Sequence, residues 1–251
     1  MTTTAIYPPA PDAFRRELDA WHLARYGGPV HWTSEWLPLA GHDALWLVAD
    51  GYLDFFAVGG HGRGVARFLG RLGAGTLVPA SAPGPEHVLA GRALPGCAVR
   101  RIAVAELLAE PRPVDRALFG SRRADEALVR GVDAGIGPLL SAVDAAPPAG
   151  TPTLIPGYRV ELRPGDAVRP VHGIVWLRVL SGQVGELGTG ATAAVDDAVT
   201  SETGAVVAVG TTGDLLADGV LWRYLAAEEL RLRYALDRRI NGRAPAARRA
   251  R

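Results

Sequence analysis

The sequence predicts an α+β protein made of two small β-barrels, each followed by helices. Three observations predict this class: short apolar segments punctuated by Gly and Pro between residues 44 and 104, a run at helical spacing after them, and a second succession of strands and then helix beyond residue 153. With 251 residues, 48% of them hydrophobic and 21% charged, the chain can bury the cores of two ordinary domains.

The first element is a helix. Phe14, Leu18, Trp21 and Arg25 follow a three-and-four spacing, Asp12 is placed near the N-cap, and Gly27-Gly28-Pro29 stops the run. ALWLVA and YLDFFAV flank Asp50-Gly51 and read as a two-residue hairpin. VARFLG, TLVPA, HVLAG and CAVRRIAV continue the first barrel to about Val104. From Val114 to Val143, Leu128, Val132, Ile136, Leu139 and Leu140 keep helical intervals, and Gly131, Gly135 and Gly137 are expected to split the stretch in two. DAAPPAGTPT, residues 144–153, is the linker candidate. LIPGYRVELRPGD, GIVWLRVL, QVGELG and AVVAVG supply the second set of strands. One closing helix is expected, with Leu215, Leu221, Leu225, Leu232, Leu236 and Ile240 as its apolar stripe and arginines on its other faces. The domain plan is therefore 1–143, a linker at 144–153, and 154–251.

Composition excludes several chemistries. No lysine occurs, so there is neither a Schiff-base lysine nor a phosphate-binding P-loop. The single cysteine, Cys97, leaves no internal disulfide and no multi-cysteine zinc site, which fits a reducing compartment, and it reads as a small buried hydrophobe. The N-terminus has no signal-like pattern and no apolar run is long enough to cross a bilayer, so a cytoplasmic protein is expected. Net charge is +1, but nine arginines against three acids crowd Arg223–Arg251.

LWLVADGYLDFFAV followed by RFLGRLGAG resembles the strand, Gly, strand and Gly-x-Gly framework of cyclic-nucleotide-binding domains. Paired with HGIVWLRVLSGQVGELG downstream, it resembles the cytoplasmic N-terminal region of NHLM-type bacteriocin-export ABC transporter ATP-binding proteins, where two such barrels precede the membrane and ATPase domains. The resemblance spans roughly residues 35 to 240 and implies a regulatory role. Neither Walker motifs nor membrane helices are present to carry transport over.

A cyclic-nucleotide site needs a glycine-opened helix N-terminus, a glutamate for the ribose and an arginine for the cyclic phosphate. At the matching place the chain reads Gly73-Ala74-Gly75-Thr76, without the glutamate, and Glu86-His87 stands where the arginine belongs; Arg92 falls several residues late. Gly73, Gly75, Thr76, His87 and Arg92 are thus the candidate ligand residues of a degenerate site. The second barrel is expected to resemble cupins. His172 lies where a first metal ligand would stand, but Ile174 and Arg178 occupy the next two ligand regions, so His172 reads as structural and no metal or cofactor is expected. The nucleophile motif Gly-x-Ser-x-Gly is absent, and the adjacent pairs Asp196-Asp197 and Glu228-Glu229 read as solvated charge.

Arg238, Arg239, Arg243, Arg248 and Arg249 are the candidates for docking a protein partner such as export machinery, or an anionic membrane surface. No aromatic residue is interleaved among them to stack bases, so nucleic acid is not expected. An oligomer is compatible with the sequence. The expectation is a non-catalytic regulatory or docking protein; the alternatives are a cyclic-nucleotide or other small-ligand sensor and a cupin-like metalloenzyme.

Overall fold

The computed structural model describes residues 11–26, 30–31, 36–41, 43–59, 66–81, 85–108, 121–143 and 151–242. Arg243, Arg248, Arg249 and most of the expected linker, 144–150, lie outside these residues.

The class is α+β. Sixteen strands form four sheets among the described residues. Two sheets come from residues 30–103. One has the order β1 (Val30–His31), β8 (Ala98–Ala103), β3 (Ala44–Asp50), β6 (Leu77–Pro79); the other runs β2 (Trp36–Pro38), β7 (His87–Ala93), β4 (Tyr52–Gly59), β5 (Arg67–Gly73). Residues 151–210 make the other two. β10 (Arg159–Leu162), β16 (Ala205–Gly210) and β12 (Val175–Val184) form one, with β13 (Leu187–Gly188) and β14 (Thr192–Val195) both paired to β12; the second is β15 (Val199–Ser201), β11 (Asp166–Pro170), β9 (Thr151–Leu154). No sheet closes on itself among the described residues, so the expected barrels are pairs of open sheets.

The Asp50-Gly51 turn differs from its expected role. β3 pairs with β6 and β8, whereas β4 pairs with β5 and β7, so the turn is a corner that carries the chain from one sheet to the next. Gly51 takes φ +66°, which a glycine adopts without a Cβ clash, and its amide donates to Asp50 Oδ1. Because both flanking strands are apolar inward, hydrophobic pattern alone does not tell a corner from a hairpin; pairing partners do.

The helices depart from expectation in instructive ways. α1 (Pro11–Leu23) begins at Pro11, which places Asp12 in its first turn, near the N-cap as expected. Leu18 and Trp21 are exposed, while Asp19, Ala20 and Leu23 are buried. The inward face is set by Asp19, which accepts two hydrogen bonds from Arg130, at 2.8 and 2.7 Å. After the five-residue α2 (Val104–Leu108), the expected split helix is one unbroken helix, α3 (Ser121–Val143). Its glycines permit close approach instead of breaking it. A Cβ at Gly131 would lie 2.7 Å from the Gly75 carbonyl oxygen, and one at Gly135 would lie 1.9 Å from that of Leu77, so α3 packs flush on β6. The single closing helix is two: α4 (Thr212–Ala217), with a capping box between Thr211 and Asp214, and α5 (Leu221–Gly242), separated at Gly219 with φ +69°.

One hydrophobic cluster runs from the N-terminal sheets through α3 into Trp176, Ala194, Leu221, Leu225 and Leu232; Trp46 and Trp176, on β3 and β12, both belong to it. A smaller cluster, including Leu154, Val175, Val179 and Val207, fills the space between the C-terminal sheets. β9 takes up Thr151 to Thr153, residues expected in the linker.

Candidate functional site

α5 has two polar faces with a leucine stripe between them. Residues four apart along a helix share a face, and the set Glu229, Arg233, Asp237 and Asn241 turns toward the start of β7. Asp237 accepts from the Glu86 amide at 2.6 Å and the His87 amide at 3.2 Å, and its Oδ1 lies 2.5 Å from His87 Nδ1. The Arg233 guanidinium is fully buried, donates to the His87 carbonyl at 3.2 Å and is paired with Glu229; Asn241 donates to Glu86 at 2.8 Å. Every polar group here is held because an unpaired buried charge would be costly.

Arg231, Ala235, Arg238 and Arg239 turn the other way and line a cleft of about 610 Å3. Its floor is apolar: Leu140 and Val143 from α3, Val184 and Leu187 from β12 and β13, and Val195 and Val199 from β14 and β15. Arg231 is bound to the buried Glu228 at 2.6 Å, and Arg239 donates to the Ala142 carbonyl at 2.8 Å. Arg238 reaches Glu186 at 2.7 Å, and both side chains are largely exposed, 63% and 75%. On the far wall Asp197 accepts from the Ala198 amide at 2.8 Å.

Of the five candidate ligand residues, Gly73, Gly75 and Thr76 sit together at the β5–β6 turn, which α1 and α3 cover. The Gly75 amide donates to Val48 and the Thr76 amide to Gly73, and a Cβ on Gly75 would lie 3.0 Å from the Arg16 carbonyl oxygen. His87 belongs to the α5 contact. Arg92 is exposed on the outer face of the second sheet, between Trp36 and Asp54 in register, where Trp36, Phe56 and Phe68 pack edge to face with centroids 4.8 and 5.4 Å apart. The five are not brought to one place. Arg238 and Arg239 are both at the cleft.

Two expectations need correcting here. Glu228 and Glu229 are buried, each against its own arginine, Arg231 and Arg233, and are not solvated charge. Arg233 lies off the leucine stripe, as expected, and is fully buried. His172 is exposed in the bend between β11 and β12. The four-residue spacing of the polar set Glu229, Arg233, Asp237 and Asn241 was there to be found in the sequence, where only Glu229 stood out.

A second polar contact ties the C-terminal sheets to α3. Trp176 Nε1 donates to Thr212 Oγ1 at 3.0 Å, and that hydroxyl donates to Asp133 at 2.5 Å. Burial pushes the Asp133 carboxyl up to about 6, and the Thr212 hydrogen bond opposes the shift. Cys97 is buried, and its thiol is pushed up to about 11, chiefly by burial. Among the described residues no three His, Cys, Asp or Glu side chains gather to hold a metal ion, and no helix is long and apolar enough to cross a membrane.

No family model matches the chain, and no curated protein matches it. Structural matches include cAMP-bound PfPKA-R, at 7% identity over 84% of this chain and 85% of that one with a TM-score of 0.31. Another is the regulatory subunit of a cAMP-independent protein kinase A from Trypanosoma brucei, at 16% identity over 86% and 88% with a TM-score of 0.27. The Thermus thermophilus catabolite activator protein matches at 21% identity over 49% and 54% with a TM-score of 0.29.

Proposed function

We propose that the chain is a non-catalytic regulatory module that binds a small ligand in the cleft beneath α5 and conveys occupancy to the N-terminal sheets through that helix, which in turn act on a protein partner. The division of α5 into two polar faces carries this reading: one helix roofs the cleft with Arg231, Ala235, Arg238 and Arg239 and holds β7 with Arg233 and Asp237. A rigid helix cannot shift at one face without moving the other, so the two ends share one equilibrium. His87 and Asp237, the residues nearest in type to an acid–base pair, are spent on holding β7 under the helix, which favours binding over catalysis. A peptide-export assembly is the partner class that the sequence resemblance suggests.

The test is hydrogen exchange at the Glu86 and His87 amides, both of which donate to Asp237. Val199→Trp fills the cleft from the wall opposite α5, and Ala235→Trp fills it from α5 itself. Both variants are expected to change exchange at these two amides several-fold while the helical circular dichroism is kept. Folded variants with unchanged exchange at both amides would overturn the reading.

A further inference from the structure

We infer that the cleft's ligand is a single-chain amphiphilic anion, an alkyl or acyl chain ending in a carboxylate or phosphate. This rests on the proposed role of the cleft and names the chemistry it selects. Leu140, Val143, Val184, Leu187, Val195 and Val199 offer a floor that gains by covering an aliphatic chain, and a volume of about 610 Å3 lies within the ordinary range of small-molecule sites. The polar lining is mixed in sign, with three arginines against two carboxylates. Arg231, Arg238 and Arg239 stand along two turns of α5, while the acids of the lining are already engaged, Glu186 with Arg238 and Asp197 with the Ala198 amide.

Arg238 is the group an incoming head would meet. Its partner Glu186 sits across the mouth on the β12–β13 turn, and a pair so exposed contributes little to stability. An anionic head can therefore replace Glu186 at small cost and gain a charge-assisted, bidentate contact to the guanidinium. Arg231 lines the same wall with its guanidinium held by the Glu228 carboxylate, so Arg238 and Arg239 carry the wall's attraction for an anion.

The experiment is calorimetric titration of the full chain with monomeric laurate, and with dodecyl phosphate, acetate, dodecyltrimethylammonium, cAMP and anionic phosphatidylglycerol vesicles. Laurate or dodecyl phosphate is expected to bind with one-to-one stoichiometry, acetate at least tenfold more weakly, and the ammonium amphiphile not at all. Arg238→Glu, at an exposed position, is expected to weaken laurate at least tenfold. Glu186→Gln removes the competing carboxylate and is expected to tighten it several-fold, an effect a merely structural pair would not give.

Equal or tighter binding of the ammonium amphiphile overturns the inference, as does binding to vesicles without binding of monomeric laurate. If cAMP binds and laurate does not, or if nothing binds while the cleft-filling variants still alter exchange at Glu86 and His87, the ligand class falls and the regulatory reading stands. If laurate binds and those variants leave the two amides unchanged, the reverse holds.

Discussion

Asp237 and His87 stand 150 residues apart in the chain, yet Asp237 Oδ1 lies 2.5 Å from His87 Nδ1 and the carboxylate also accepts the amides of Glu86 and His87. A single side chain of the last helix thus holds the entry of a central strand in the N-terminal sheets. Removing it strands three donors in a buried site. Asp237→Ala should cost about 3 kcal/mol or more, whereas Asp237→Asn, which keeps an acceptor for the amides, should cost less. Urea unfolding of both variants gives the order directly.

The contact between α3 and β6 predicts a contrast between two glycines. Gly135→Ala drives a Cβ into the Leu77 carbonyl, which is backbone and cannot swing away, so a loss of about 3 kcal/mol or failure to fold is expected. At Gly137 the nearest atom to a Cβ, other than its own helix and chain neighbours, is Ile174 Cδ1 at 3.9 Å, so Gly137→Ala should be neutral or gain up to about 1 kcal/mol from helix propensity. Thermal melts of the two variants separate the readings.

Asp133 gives the protein a pH dependence of known sign. With its carboxyl raised to about 6 by burial, the folded chain keeps a proton that the unfolded chain releases above about 4. Stability therefore falls as pH rises through that window, and the full penalty, of the order of 3 kcal/mol, is present above about pH 6. Asp133→Asn retains an acceptor for Thr212 and removes the titration. Its stability relative to the parent should rise between about pH 4 and 7. Denaturant midpoints at the two ends of that range check it.

Cys97 should be inert while the chain is folded, because burial both shields the thiol and pushes it up to about 11. Ellman's reagent at about pH 8 should react only at the rate of unfolding. Rapid stoichiometric labelling of native protein would contradict this burial.

Much of the fold was legible because its elements are short and punctuated. HVLAG, CAVRRIAV and AVVAVG alternate or run apolar between Gly and Pro, and each became a strand. Less legible were relationships that depend on partners distant in sequence. Asp50-Gly51 carries the local chemistry of a hairpin, yet its flanking strands found other neighbours. Gly131 and Gly135 looked like helix breakers because propensity counts only the chain's own cost, whereas tertiary packing needs the space a missing side chain leaves. The leading face of α1 was misread because Asp19 is apolar to no scale, yet it turns inward to meet Arg130. The site suffered most. Phosphate-motif spacing drew attention to Gly73–Thr76 and Arg92, while the polar ladder of α5 lay among arginines that were counted as tail charge.

The central claim is that α5 joins the cleft to β7, and a double-mutant cycle measures that joint most directly. Val199→Trp alters the cleft, Asp237→Asn alters the hold on β7, and unfolding free energies of the parent, the two single variants and the double variant close the cycle. The account predicts a coupling energy of about 0.5 kcal/mol or more between these sites, of either sign. Additivity to within about 0.3 kcal/mol would show that the two faces of the helix act independently and would contradict it.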